Sequence, residues 1–300
     1  MIPDTTDRPR PYRSVLYIPG ANERALQKAA SLPCDAIIFD LEDAVAPEEK
    51  PRARALVAEM LRMTDYGGRA RIVRINALET QWGREDCLAF ADVPLDAILV
   101  PKVSRPAHVE AVATLVPDVA LWAMMETAVV AWHAADIAAH PRIAGFVVGT
   151  NDLAKDIGAR YRPDREPLLT AMSLCLLAGK AYGRIVIDGV YNAFKDDDGL
   201  RAECNQGRDM GFDGKTLIHP AQIAVANEVF APSAEELALA RSQIIAYEEA
   251  ERAGRGVAVV DGKIVEKLHV VAAERILARA AAIADVAGQG QSAASSGRSN

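Results

Sequence analysis

Acidic side chains follow several apolar runs of this sequence at the point where each run ends. Glu126 follows LWAMM, and Asp152 follows GFVVGTN. A charge beside such apolar segments is costly unless it is paired or binds a metal. Mg²⁺ prefers oxygen ligands, takes one or two carboxylates and keeps positions for water and substrate oxygens. The pattern therefore predicts one Mg²⁺ ion per chain, bound by acidic side chains.

Other charged groups end neighbouring runs. Glu42 and Asp43 follow AIIFDL, Arg74 lies in RIVRIN, and Lys102 follows AILVP. The guanidinium of Arg74 suits a bidentate grip on a carboxylate or enolate, or else an ion pair with the acids that follow AIIFDL. Asp43 and Asp152 also have a structural alternative, because a carboxylate after a strand often caps the next helix.

The histidines favour zinc less than magnesium. Those at positions 108, 133, 140 and 269 lack an i, i+4 partner of the HExxH type. His219, in LIHP, could face the site or make a structural hydrogen bond.

Eight short runs rich in Val, Ile and aromatic residues provide the elements that must position these groups. Each is followed by a stretch with helical periodicity, and the runs are Ser14–Pro19, Ala36–Leu41, Arg71–Asn76, Ala97–Lys102, Val119–Met125, Gly145–Gly149, Arg184–Asp188 and Gly214–Ile218. Apolar strands alternating with helices indicate a parallel sheet covered on both faces. No run is followed by GxGxxG or GxxxxGK[ST], so we expect an α/β fold of the (β/α)8 (TIM) barrel type rather than a nucleotide-binding open sheet. Active sites of such barrels lie at the carboxyl ends of the strands.

The C-terminal region predicts an appendage to a barrel domain of residues 1–232. Ser233 is a candidate N-cap and Gly254 a candidate stop of an amphipathic helix, and Asp261-Gly262 predicts a tight hairpin. A last helix, from about Leu268 to Val286, completes a helix-hairpin-helix extension over 233–287. The small, polar residues 288–300 predict a disordered tail.

Composition excludes several classes of protein. The 300 residues carry a net charge of −7, and no basic field is available for nucleic acid. No apolar run is long enough for a membrane span or a signal peptide, so we expect a cytoplasmic protein without a membrane partner. The four cysteines form no CxxC pair and are expected to be reduced thiols, mostly in the core.

Several sequence blocks, taken in order, resemble the CitE-like enzymes of the HpcH/HpaI aldolase group, which include citrate lyase β subunits and malyl-CoA and citramalyl-CoA lyases. The blocks are RSVLYIPGANERALQKA, IIFDLEDAVAPEEK, RIVRIN, ILVPKV, META, VVGTNDLA and GKTLIHPAQI. The resemblance covers about residues 13–222 and, more weakly, the hairpin. It implies a TIM barrel in homotrimers or hexamers that acts on coenzyme A thioesters.

The resemblance also implies roles for individual residues. Glu126 and Asp152 would hold Mg²⁺, and Arg74 would bind the 2-oxo acid and stabilise the developing enolate. Glu42 and Asp43 would orient metal-bound waters.

Two further positions, Tyr17 and Lys28, match residues that contact the coenzyme A substrate. The chain departs from the family pattern nearby, where Asn22 stands for an arginine of some relatives, with Arg24 close to it. In the C-terminal GKMxD-like segment, which in many relatives reaches over a neighbouring subunit, Glu266 stands where aspartate is usual. It keeps a carboxylate on a side chain one methylene longer.

The expected function is Mg²⁺-dependent cleavage of a 3-hydroxyacyl-CoA thioester of the malyl-CoA, methylmalyl-CoA or citramalyl-CoA type. The products would be a 2-oxo acid and an acyl-CoA, with Glu266 handling the enolate proton. Alternatives are a malyl-CoA thioesterase in which Glu266 positions water, a citrate lyase β-type subunit acting on an acyl carrier protein thioester, and a non-catalytic binding barrel.

Overall fold

Eight parallel strands close into a barrel in the computed structural model, which describes residues 10–296 and the side chains of residues 10–286. Each strand pairs with its neighbours in the sequence, and β8 pairs with β1. The strands are β1 (Ser14–Pro19), β2 (Ala36–Asp40), β3 (Ala70–Arg74), β4 (Ala97–Val100), β5 (Leu121–Met125), β6 (Ile143–Val148), β7 (Ile185–Asp188) and β8 (Gly214–Leu217). The predicted (β/α)8 barrel is confirmed.

Helices connect the strands around the outside of the barrel. They are α1 (Glu23–Ala29), α2 (Lys50–Met63), α3 (Gly83–Phe90), α4 (Pro106–Ala113), α5 (Val130–Ala139), α6 (Thr150–Asp156), α7 (Leu169–Ala181), α8 (Asp197–Met210) and α9 (Ile223–Val229), with 3₁₀ turns at Pro47–Glu49, Glu166–Leu168 and Pro220–Gln222. Within residues 10–296, no helix combines the length and the hydropathy that crossing a bilayer requires.

Side chains that alternate between the two faces of each strand form a core of two layers. Ile38, Ile72 and Leu99 belong to a cluster that fills the barrel, whereas Ile37 and Phe39 pack in a larger cluster with the surrounding helices. Successive strand side chains point to opposite faces, so both faces of each strand must be apolar. This requirement explains why the eight runs could be located from hydrophobicity alone.

Strand β4 ends two residues earlier than the sequence predicts. The backbone of Lys102 has a φ of 53°, in the left-handed region that an extended strand cannot contain. The apolar run therefore ends as a strand at Val100, and Lys102 begins the loop that leads to α4.

The C-terminal segment from Ala231 belongs to a separate compact unit, while Tyr12–Phe230 forms the barrel unit. Helix α10 (Ala234–Arg252) begins with the predicted N-cap, because the Ser233 hydroxyl accepts the N–H of Glu236 and Glu236 accepts the N–H of Ser233. Strands β9 (Ala258–Val260) and β10 (Lys263–Val265) pair antiparallel.

The predicted tight turn joins these two strands. Its residues, Asp261 and Gly262, both have positive φ, as a type I′ turn requires. The last helix, α11 (Lys267–Ser296), ends ten residues beyond the predicted end at about Val286 and includes residues 288–296 of the predicted tail. Residues 297–300 of the predicted tail lie outside the described part of the chain.

A cluster of ionic side chains, in which Asp188 and Lys215 are fully buried, joins β7 and β8 to the helical layer. Asp188 accepts hydrogen bonds from Arg165 Nη1 at 2.7 Å and from Lys215 Nζ at 3.0 Å, and Lys215 also donates to Glu203 at 2.6 Å. Burial alone would raise the pKa of Asp188, but the charges and hydrogen bonds of Lys215 and Arg165 outweigh it and lower that pKa. The Asp188 carboxylate therefore stabilises the fold in its ionised form.

We expect Asp188→Asn to lower the free energy of unfolding by about 3–5 kcal/mol at neutral pH, because one member of a buried ion pair is lost. Chemical denaturation measures this change. The contribution of the carboxylate is present above the usual carboxyl pKa of about 3.9 and is lost as the pH falls through the lowered value. The difference between the two proteins should therefore narrow in acid.

Glu228→Gln is the matched control, because Glu228 forms an exposed ion pair with Arg201 and should not measurably affect unfolding. Equal stability of Asp188→Asn and the wild type at neutral pH would contradict the structural role of the cluster.

Candidate active site

A cavity of about 300 Å³ opens at the carboxyl ends of the barrel strands. We call it the reaction cavity. Its polar lining includes Tyr17, Asp40, Arg74, Glu126 and Asp152, and its apolar lining includes Ala44, Met124, Val147, Val190 and Ile218. Closure of the barrel thus brings strand ends that are distant in sequence to one mouth.

Arg74, at the end of β3, is held by the acids of the neighbouring strand. Its Nε and Nη2 donate to the two carboxylate oxygens of Asp40 at 2.7 and 2.6 Å. Nη1 lies 2.8 Å from Glu42 Oε2 and donates to Asp43 Oδ2 at 3.4 Å. The guanidinium also packs 5.0 Å from the centre of the Tyr17 ring. The ion pair with the strand-two acids therefore exists, and it directs the guanidinium into the reaction cavity.

The turn after β2 is fixed by hydrogen bonds from both ends. The Asp40 carboxylate accepts the backbone N–H groups of Glu42 and Ala44 at 2.9 and 3.1 Å. The buried ammonium of Lys50 donates to the carbonyl oxygens of Leu41 and Glu42, both at 2.8 Å. These contacts hold Glu42 and Asp43 beside Arg74.

Glu42 has an unusual electrostatic environment. Burial, together with the charges of Glu126 and Asp43, raises its pKa to about 8, against the opposing charge of Arg74. Its Oε2 atom is buried and has no hydrogen-bond partner within the described residues, although Arg74 lies within ion-pair distance.

Glu126 and Asp152 converge on one ammonium group, that of Lys102. Lys102 Nζ contacts Asp152 Oδ2 and lies 3.6 Å from Glu126 Oε1, which also accepts the backbone N–H of Lys102 at 2.8 Å. Burial raises the pKa of Glu126, while the charge and the N–H of Lys102 and the charge of Arg74 oppose this rise. The two carboxylates are therefore close enough to share one cation.

Gly149, at the end of β6, allows Glu126 to occupy its position. A Cβ atom at residue 149 would lie 2.6 Å from Glu126 Cβ and 2.7 Å from Glu126 Oε2. Such distances do not occur between real side chains, so this backbone position has room for glycine alone.

The helix-cap alternatives for Asp43 and Asp152 are not realised. Asp152 is the third residue of α6, whose N-cap is Gly149, and the turn at Pro47–Glu49 has Ala46 at its N-cap without a side-chain hydrogen bond. His219, by contrast, makes the structural hydrogen bond, since its Nδ1 accepts the N–H of Ala221.

The remaining sequence-predicted residues lie in different places. Tyr17 is in the reaction cavity, where burial is the largest of the effects that raise its pKa above the usual range. Lys28 is exposed in the last turn of α1 and is not part of the cavity lining. Asn22 serves as the N-cap of α1 and accepts the N–H of Ala25 at 3.0 Å. Glu266 is exposed at the start of α11 in the C-terminal unit.

Three residues of the site received no role from the sequence. Asp40 ends β2 and Lys102 lies just after β4, so both could have been chosen by position, but nothing in the sequence pairs Asp40 with Arg74 or Lys102 with Asp152. Nothing in the sequence indicates a role for Lys50 in the site, because it lies in an ordinary amphipathic helix. Its ammonium contacts the preceding turn, at Leu41.

The donor set fits a magnesium ion. In residues 10–286, no group of three or more His, Cys, Asp or Glu side chains could hold a metal, which disfavours a closed all-protein site. The pair Glu126 and Asp152 offers two hard carboxylates beside a cavity, and this is the set that Mg²⁺ uses when water and substrate oxygens complete its coordination.

Comparison with known proteins identifies several relatives. Over 274 residues the chain is 66% identical to a (3S)-malyl-CoA thioesterase of Cereibacter sphaeroides, an alignment that covers 91% of this chain and 96% of the relative. It is 33% identical to the L-malyl-CoA/beta-methylmalyl-CoA lyase of the same species, over 90% of this chain and 95% of the relative.

A solved structure of CitE from Mycobacterium tuberculosis, in complex with magnesium, acetoacetate and coenzyme A, superimposes with a TM-score of 0.77 at 32% identity. The match covers 91% of this chain and 99% of that one. Residues 13–220 match the HpcH/HpaI aldolase/citrate lyase family, which agrees with the sequence blocks, and the chain belongs to this family.

Proposed function

We propose that the chain is a Mg²⁺-dependent thioesterase that hydrolyses (3S)-malyl-CoA to malate and coenzyme A. The observation that supports hydrolysis over carbon–carbon cleavage is the 66% identity to the thioesterase, compared with 33% to the malyl-CoA lyase, at similar coverage. This choice corrects the order of the sequence-based expectation, in which the lyase stood first and the thioesterase was an alternative.

The acyl end of the substrate would bind in the reaction cavity. Glu126 and Asp152 would hold Mg²⁺, which supplies Lewis acidity and a template for the carboxylate and hydroxyl oxygens of the malyl group. Arg74, aligned by its bidentate pair with Asp40, would contact the malyl carboxylate through the part of the guanidinium that faces the cavity.

The hydrolytic step needs a water molecule and a base. Glu266 is our candidate, contributed to the cavity by the C-terminal unit of a neighbouring copy in a homo-oligomer. Its carboxylate would take a proton as the water oxygen bonds to the thioester carbon. The carbon–sulfur bond then breaks, and the proton passes to the sulfur of coenzyme A, so atoms and charge balance.

The lyase is the second candidate, supported by relatives at 33–34% identity named malyl-CoA lyase and citrate lyase subunit beta. The two reactions share no product, because cleavage leaves acetyl-CoA with its thioester intact and releases glyoxylate, whereas hydrolysis releases malate and a free thiol. We therefore expect (3S)-malyl-CoA with Mg²⁺ to yield thiol and malate in equal amounts and little glyoxylate, as measured with a thiol reagent and by mass spectrometry. Glyoxylate and acetyl-CoA in equal amounts would contradict hydrolysis.

The role of Glu266 gives a separate prediction. Glu266→Gln should lower the rate of thiol release by about 10²–10⁴-fold, the usual contribution of a general base, with little change in KM. Glu274→Gln, a change of the same type on α11, is the matched control and should keep the wild-type rate. If Glu266→Gln retains full turnover, another group activates the water.

Metal binding can be measured without turnover. Mg²⁺ at 100 times its Kd should stabilise the wild type by about 2.7 kcal/mol in chemical denaturation, because the ion binds only the folded state. Glu126→Gln and Asp152→Asn should each remove most of this stabilisation. Asp156→Asn, at the end of the same helix as Asp152, should retain it. Equal Mg²⁺ stabilisation of Glu126→Gln and the wild type would exclude the proposed ligand pair.

Arg74→Lys tests the guanidinium while keeping its charge. Lysine cannot reproduce the bidentate contact with Asp40, so we expect kcat/KM to fall by about 10²–10³-fold, the loss typical of a misplaced charge-stabilising donor. Circular dichroism and the Mg²⁺ dependence of unfolding establish that the fold and the metal site are retained. Unchanged kcat/KM would show that Arg74 has only a structural role.

A further inference from the structure

Lys102 has a backbone conformation that its own side chain does not favour. Among the described residues, it is one of three non-glycine residues with positive φ, together with Arg165 and Asp261. A left-handed lysine is strained, so its surroundings must hold it there. The backbone N–H of Lys102 donates to Glu126 Oε1 at 2.8 Å, and Glu126 is 2% exposed. The strained residue thus orients a buried carboxylate.

The side chain of Lys102 also lies close to the Glu126 carboxylate. Lys102 Nζ lies 3.6 Å from Glu126 Oε1 and contacts Asp152 Oδ2. Two carboxylates that share a site repel each other unless a positive charge lies close to both. One residue therefore supplies both a hydrogen bond that orients Glu126 and a positive charge that offsets the repulsion between the two carboxylates.

The carboxylate pair borders two spaces. Glu126 and Asp152 line the reaction cavity, and Lys102 does not. They also line a second cleft of about 290 Å³, which we call the outer cleft. Its remaining lining residues are Lys102, Thr127, Lys155 and Asp156. The side chain of Lys102, 41% exposed, therefore approaches the pair from the outer cleft and has space to withdraw into it.

We propose that Lys102 is the built-in counter-cation of the Glu126–Asp152 pair, whose ammonium competes with a divalent ion for the same oxygens and moves into the outer cleft when the ion binds. The backbone N–H would keep its hydrogen bond to Glu126 throughout. Lys102 is thus a positioning residue that sets metal affinity, an inference that rests on the metal site of the proposed function.

Replacing the ammonium should strengthen metal binding. Lys102→Met keeps the backbone N–H and most of the apolar side chain but removes the competing charge. We expect it to bind Mn²⁺ at least about fivefold more tightly than the wild type, the lower end of ordinary coupling between two ligands. In EDTA, the same variant should have a lower Tm, because the two carboxylates lose their counter-cation.

The measurement is a Mn²⁺ titration of the full chain, with free Mn²⁺ followed by electron paramagnetic resonance and Tm measured in EDTA. Lys155→Met is the matched control, since Lys155 lines the same cleft and forms no ion pair within the described part of the chain. It removes an equal charge and should change the Kd for Mn²⁺ by less than about twofold, an exposed charge having little effect on a neighbouring site. Lys102→Asn is a second neutral variant, because asparagine tolerates a left-handed backbone.

The Mn²⁺ titration can distinguish failure of the Lys102 proposal from failure of the proposed thioesterase function. Weaker or equal Mn²⁺ binding by both Lys102 variants overturns the competition. Tighter binding by both, with Lys155→Met unchanged, supports it even if malyl-CoA gives no thiol, a result that would overturn only the proposed thioesterase. If neither the wild type nor the Lys102 variants bind one Mn²⁺ per chain, both the inference and the metal site are wrong.

Discussion

The burial of the Glu126 carboxylate is the constraint on which the arrangement of this site depends. A carboxylate that is 2% exposed would be expelled or protonated unless positive groups lay close to it. The barrel provides those groups from β3 and from the loop after β4, as Arg74 and Lys102. Arg74 is oriented by its hydrogen bonds to Asp40. Asp40 in turn accepts a backbone N–H from the following turn, to which Lys50 also donates a hydrogen bond. The mouth is therefore one connected electrostatic network rather than a set of independent side chains.

Much of the fold could be predicted because parallel strands buried on both faces appear in the sequence as uninterrupted apolar runs. The hairpin and the cap of α10 could be predicted because Asp261-Gly262 and Ser233 have local preferences that the structure uses. The end of β4 could not be predicted, since the left-handed Lys102 donates its backbone N–H to Glu126, a residue distant in sequence. The end of α11 was misjudged because small polar residues are compatible with both a helix and a coil.

The site could be predicted only in part, for a related reason. Strand ends identify which residues reach the mouth, and this was sufficient to bring Glu126, Asp152 and Arg74 together. Strand ends do not reveal which of these groups pair. The bidentate contact of Arg74 with Asp40 and the contact of Lys102 with Asp152 depend on side-chain rotamers that no pattern encodes. The choice between hydrolysis and carbon–carbon cleavage is harder still, because both reactions use the same acids and the same arginine.

Gly149 limits which substitutions can change the shape of the reaction cavity. Since a Cβ atom at residue 149 would lie 2.6 Å from Glu126 Cβ, no side chain larger than hydrogen can be introduced there to reshape the cation site. The side chains that can change without disturbing the carboxylates are apolar ones that line the reaction cavity, such as Ala44, Val190 and Ile218. New acyl specificities in this barrel should therefore arise from changes in the size of the apolar side chains that line the reaction cavity, while its charged side chains stay the same.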